Sequence, residues 1–139
     1  MRALLVLGSI FLTAAAMAQS GEQQLLTKRL ECAELGEKIA EENIIVGPAL
    51  TQSQVFRYNP RTNRCYVELI VQATDKPTDY QHRVLYDGQT NEMLAFAEIH
   101  NGKKGGKVFD QQQSRTNLAN AGWDDASEYI DQMMAEDRE

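Results

Sequence analysis

Apolar residues recur at helical spacing through "EQQLLTKRLECAELGEKIAEE", residues 22–42. At about 100° per residue, Leu25, Leu26, Arg29, Cys32, Ala33, Gly36, Ile39 and Ala40 share one face. Glu31, Glu34, Lys38, Glu41 and Glu42 share the other. The pattern predicts a helix over 22–42 with Cys32 near the centre of its apolar face. Arg29 fits that face if its stem lies along the core edge and its charge reaches water. Gly36 costs a helix about 1 kcal/mol relative to alanine, so its expected use is a close approach to whatever the helix packs on. Residues 43–52, "NIIVGPALTQ", carry a short apolar run and a Gly47-Pro48 break. They read as the connection from helix to sheet.

The middle of the chain alternates with period two. "SQVFRYN" (53–59) puts Phe56 and Tyr58 on one face, and "RCYVELIVQA" (64–73) puts Cys65, Val67, Leu69, Val71 and Ala73 on one face. Tyr66, Glu68, Ile70 and Gln72 then face the other way. "DYQHRVLYD" (79–87) and "EMLAFAEI" (92–99) alternate likewise. Asn59–Asn63 and Asp87–Asn91 are turn chemistry between neighbouring strands. The expected fold is α+β: a four-stranded antiparallel meander with helix 22–42 across its more apolar face. If the second hairpin loop is Gly88–Asn91, His82 lies opposite Ala97 and His100 opposite Asp79, on opposite faces. A register shifted by one puts both histidines on one face, several residues apart.

Residues 100–117, "HNGKKGGKVFDQQQSRTN", are rich in Gly, Lys and Gln and read as a flexible loop, with a short strand at Lys107–Asp110 as the alternative for part of it. Residues 123–135 return to helical spacing, with Trp123, Ala126, Ile130, Met133 and Met134 on one face and Tyr129 beside it. Asp124 and Asp125 suit the helix N-terminus. This face has two readings: packing on the far side of the sheet, over Ile70, Leu85, Leu94 and Phe96, or docking onto a partner.

The first residues change the picture of where the chain works. "MRALLVLGSIFLTAAAMAQS" has Arg2, an apolar run from Ala3 to about Leu12, and Ala16-Met17-Ala18 as a small-residue cleavage pattern. This is the pattern of a cleavable signal peptide over residues 1–18. A spanning helix needs roughly 20 apolar residues, and this run is shorter and broken by Gly8, Ser9 and Thr13. The expected mature chain is one domain, residues 19–139, periplasmic or secreted, with no stable membrane insertion. The formal charge of −6 becomes −7 once Arg2 is removed. Nucleic acid is therefore not an expected partner.

In an exported chain, two cysteines read as one disulfide. Cys32 and Cys65 point, by independent periodicities, to surfaces that should face each other. Closing a loop of about 34 residues should stabilise the fold by roughly 3.5–4 kcal/mol in the chain-entropy model. A nucleophilic or metal-binding role has little support: neither histidine is near Cys65 in sequence, and no Cys-x-x-Cys or His-x-x-x-His is present. No cofactor is expected. "NGKKGGKV" departs from a phosphate loop at two places, Asn101 and Val108. What remains is Lys103, Lys104 and Lys107, either a solvated turn or a patch for an anionic partner, with attraction to the seven acidic residues of 124–139 as the simplest intramolecular account.

The segments "ECAELGEKIAEE", "YNPRTNRCYVEL" and "VLYDGQTNEMLAFAE" together resemble small exported bacterial proteins. Those have an early helical Cys, a "YN-P-x-x-N-x-C-Y/F-V" strand and an "LYD…LA" hairpin. The resemblance covers roughly residues 30–98 and brings no activity with it. The order helix-then-meander is also similar to cystatin-like folds, but Gln54-Val55-Phe56 lacks the Q-x-V-x-G inhibitory hairpin, so that function does not transfer. The expectation is a non-enzymatic protein-interaction or inhibitor-like module, acting on an envelope or extracellular protein. Lys103, Lys104, Lys107, Trp123, Ile130, Met133 and Met134 are its candidate partner-binding residues. The alternative is a small-ligand binder with a cavity between helix and sheet, lined by Phe56, Tyr58, Tyr80, Tyr86 and Met93.

Overall fold

A computed structural model describes residues 12–45, 47–77, 79–109 and 122–135, with side chains from Gly21 onward. Most of the expected signal peptide and residues 110–117 of the expected loop lie outside the described residues. The chain runs α1 (Leu12–Glu42), β1 (Leu50–Asn59), β2 (Arg64–Ala73), β3 (Tyr80–Asp87), β4 (Met93–His100), β5 (Lys103–Val108) and α2 (Trp123–Met134). The strands form one antiparallel sheet in the order β1-β2-β3-β4-β5. The fold is α+β, with five strands where the sequence reading expected four. The first strand also begins three residues earlier than expected, at Leu50.

The fifth strand corrects the loop expected over 100–117. "KKGGKV" has no apolar alternation and two glycines, so its own β-propensity is poor. It becomes a strand because β4 offers it a ladder, from His100↔Lys103 to Ala95↔Val108. Asn101 and Gly102 form the two-residue turn, with φ of 52° and 75°, as the tightest hairpins require.

Two helices cover the sheet, on opposite faces and at opposite ends. α1 packs on β1 and β2, and α2 packs mainly on β4 and β5. The α1 side holds Cys32, Ile39, Ala40, Cys65, Val67, Leu69, Val84 and Tyr86. The α2 side holds Tyr66, Leu85, Leu94, Ala95, Ala97, Val108, Ala126, Tyr129 and Ile130. Only part of α1 is used in this way. From Gly21 to Glu31 its side chains are exposed, apart from a half-buried Leu25, and burial begins at Cys32. Gly36 is where the helix comes closest: a Cβ there would sit 2.9 Å from Phe56.

The disulfide joins Cys32 to Cys65, with the two Cα atoms 5.4 Å apart. It ties α1 to the second strand at the place where both periodicities pointed. On the other face the tie is ionic. Arg83 donates to Glu68 at 2.6 Å and to Asp131 of α2 at 2.6 Å. Glu68 is buried, not on a solvated outer face, and Arg83 is its counter-charge. Burial opposes the Arg83 charge, but hydrogen bonds to Glu68 and Asp131 outweigh it and hold the guanidinium above its ordinary value.

A register shift between Leu85 and Tyr86 decides which residues share a face at the β3–β4 end. Before it, Tyr86 pairs with Met93; beyond it, Leu85 pairs with Ala95 and His82 with Glu98. His100 therefore pairs with Tyr80, not with Asp79. The two histidines lie on one face, and Phe96 sits on the α1 side instead of with Leu85 and Leu94.

Candidate functional site

The offset of the two helices leaves part of each sheet face open. On the α1 side the open part is the β3–β4–β5 end. Cross-strand pairing arranges the α1-side residues of these strands in three rows: Tyr80–His100–Lys103, His82–Glu98–Gly105 and, with Val84 buried at its root, Val84–Phe96–Lys107. Phe109, two residues beyond Lys107, lies on this side against Phe96 and is 40% exposed.

The rings of this face meet as one pair and one series of three. Tyr80 and His100 meet edge-on at 5.8 Å, His82 and Phe96 edge-on at 6.1 Å, and Phe96 and Phe109 are tilted at 6.0 Å. The Lys107 ammonium stands 5.0 Å from the Phe109 ring centroid, within cation–π range. Phe96 is half-buried and roots the array in the α1-side core. Gly105 leaves the space beside Glu98 open: a Cβ there would meet only the Glu98 side chain, at 3.7 Å. Burial lowers the His82 pKa below its ordinary 6.5, and the nearby Glu98 carboxylate opposes that shift. At neutral pH the face therefore carries an uncharged His82, one carboxylate and two lysines. It is cationic on a chain whose formal charge is −6.

The expected candidates divide among three places. Lys103 and Lys107 belong to the open face, while Lys104, paired with Ile99, projects to the α2 side. Among the described residues, no ion pair joins these lysines to α2, whose Asp131 is taken by Arg83. Ile130 is fully buried in the α2-side core, so it has no surface to offer. Trp123, Met133 and Met134 are half-buried against the same core. The helix face is thus occupied by the sheet, the first of its two readings. His82, Phe96, Glu98, His100 and Phe109 were not among the candidates. Their common face depends on the fifth strand and on the register shift, and neither follows from alternation alone. The signal that points to the fifth strand is Asn101-Gly102, the strongest short-range mark of a hairpin.

A second concavity lies at the disulfide. A cleft of about 440 Å³ is bounded by Lys28, Glu31, Cys32 and Leu35 of α1, the β1–β2 turn with Tyr58, and the β3–β4 loop. Its walls hold one another. The Gln89 side chain accepts from the Cys65 N–H at 2.9 Å and donates to the Asn63 carbonyl at 3.1 Å. Tyr58 donates to Asn63 at 2.8 Å, and buried Asp87 pairs with Arg64 at 3.4 Å. Asp87 also accepts from the N–H groups of Gln89 and Thr90. Of the five aromatic and Met residues expected to line a ligand cavity, Tyr58 borders this cleft; Tyr86 is buried, and Phe56 and Met93 are exposed at other places.

Among the described residues, no group of three or more His, Cys, Asp or Glu is placed to hold a metal ion, and no helix is long and apolar enough to cross a membrane. No protein-family model, no curated protein and no solved structure matches this chain.

Proposed function

We propose that this chain is an exported, non-enzymatic binding module that holds an acidic partner protein on the open β3–β4–β5 face. The observation that carries the reading is a set of rings on one open face, a Tyr80–His100 pair and a His82–Phe96–Phe109 series, flanked by Lys103 and Lys107. Its rings supply rigid, semi-apolar contact area, the usual material of interface hot spots. Its lysines give it the opposite sign to the rest of the surface, which favours acidic partners and steers their approach. Export is supported by the amino-terminal pattern and by the Cys32–Cys65 disulfide, a bond at home in oxidising compartments.

The experiment uses photo-crosslinkers at positions 103 and 107 on the protein in its own envelope fraction. A captured protein is then purified and its affinity measured. The reading expects an acidic protein whose binding weakens with salt and drops about tenfold or more in the Lys103→Glu, Lys107→Glu double variant. Binding that is indifferent to both salt and the double variant would overturn it.

The second reading, a small-ligand binder, rests on the cleft of about 440 Å³ beside the disulfide, which is within the size range of small-molecule sites at about 300–1,000 Å³. It expects ligand-induced chemical shifts at Tyr58, Asn63 and Thr90, with none on the β4–β5 hairpin.

A further inference from the structure

The two edges of the sheet are treated differently by the sequence. β5, at one edge, carries three lysines and two glycines in six residues, the composition that keeps an edge from pairing with another strand. β1, at the other edge, is ten residues long, "LTQSQVFRYN", with no proline, no lysine and Arg57 as its single charge. None of its residues is buried, and Val55 is 48% exposed. Among the described residues, only β2 pairs with its backbone from Thr51 to Asn59. Its outward N–H and C=O groups form an unguarded row.

The flank of α1 above this edge also carries exposed apolar residues. Lys28, Glu31 and Leu35 face the cleft beside the β3–β4 loop, and Glu42 accepts from Asn91 of that loop. Those residues mark the inward side of α1. At about 100° per residue, the opposite side carries Leu26, Leu30, Ala33 and Glu37, with Arg29 at its border, looking out past β1. Leu26 is 57% and Leu30 58% exposed, and Ile44 at the helix exit is 61% exposed. Among the described residues, the open edge of β1 and this helix flank thus look in the same direction.

We infer that a second copy of this chain occupies that edge, pairing β1 with β1 antiparallel about a two-fold axis to make one continuous ten-stranded sheet. Self-pairing fits the charges. In any register centred between Gln54 and Phe56, Arg57 lies opposite Thr51, Ser53 or Val55 of the second copy, never opposite itself. It also fits the helices. The axis is perpendicular to the sheet, so both copies of α1 lie on one side, running antiparallel. With strands about 4.8 Å apart, helices centred over each β1–β2 pair lie about 10 Å apart, at the edge of the usual packing distance of about 8–10 Å. Antiparallel packing sets the Leu26–Leu30 half of one α1 beside the Ile44–Ile45 exit of the other, so the exposed apolar residues of each copy cover those of its mate. The ten residues of β1 with Leu26, Leu30, Ala33, Glu37, Ile44 and Ile45 approach the size of a stable interface, at about 20–30 residues a side. Glu37 approaches its own copy near the axis, because its neighbour Gly36 sits on Phe56, so added salt should tighten the association.

The test is sedimentation equilibrium of the oxidised protein from micromolar to millimolar concentration. A monomer–dimer equilibrium is expected, tighter in high salt. V55K and L30E should each weaken it about tenfold or more, since each places like charges at the axis or charge in the apolar flank. K107E, at the other edge of the sheet, should leave it unchanged. If V55K does not fold, S53K, at an exposed position of the same strand, serves in its place. A monomer at millimolar concentration would overturn the inference, as would a dimer insensitive to both V55K and L30E. Because the partner-binding face is at the far edge, partner affinity in the K103E/K107E variant is read independently of this result.

Discussion

At the residue scale, three side-chain arrangements have measurable consequences. The disulfide closes the Cys32–Cys65 loop, whose ends are 33 residues apart. Replacing both cysteines with alanine should cost about 3–4 kcal/mol in urea unfolding, a large share of a typical domain stability of about 5–15 kcal/mol. Arg83 joins buried Glu68 to Asp131, with its own side chain 16% exposed. Arg83→Met leaves the Glu68 carboxylate buried without its cation and should cost about 3–5 kcal/mol. Adding Glu68→Leu should recover much of that loss, because a matched apolar pair no longer strands a charge. His82 gives a pH signature. Its folded pKa is depressed by burial below the ordinary 6.5, with Glu98 opposing. The unfolded chain therefore takes up the proton at higher pH than the folded chain does. This contribution to stability is complete above about pH 6.5 and is lost as pH falls through the folded value. Thermal melts from neutral to mildly acidic pH should show Tm falling in that window, and His82→Gln should flatten that part of the profile.

At the element scale, the contact between α2 and β5 depends on Gly106. A Cβ there would meet the Gly122 carbonyl oxygen at 2.7 Å and the Ala126 Cβ at 2.8 Å. Neither is the far end of a flexible side chain. Gly106→Val should push the first turn of α2 off the sheet and cost about 1–3 kcal/mol as an overpacking change. Hydrogen exchange of the Trp123–Ile130 amides should rise while β1 and β2 stay protected. This contact also shows what the sequence could and could not reveal. The strands from β1 to β4, the packed helix and the disulfide were legible because their alternations are regular and each cysteine sits on an apolar face. β5 reads as loop because the two features that make it useful, a glycine for helix approach and lysines for edge protection, erase the apolar pattern. The open face was illegible for a related reason. The shift between Leu85 and Tyr86 changes which residues of β4 lie beside which of β3, and period two carries no mark of a bulge.

At the scale of the whole molecule, one sheet is covered by two helices displaced to opposite faces and opposite ends. Each helix builds a core of its own, and each leaves the far half of its face open. A disulfide fixes one core and an ion triad fixes the other, so the open surfaces are held on a rigid support. The β3–β4–β5 face, with its rings and two lysines, is the surface we propose for an acidic partner. Hydroxyl-radical footprinting of the protein with its captured partner tests that assignment most directly. Phe109, Phe96 and His100 are expected to lose reactivity in the complex while Tyr58, at the disulfide cleft, keeps it. Full reactivity at Phe109 with protection confined to Tyr58 and Leu35 would contradict it.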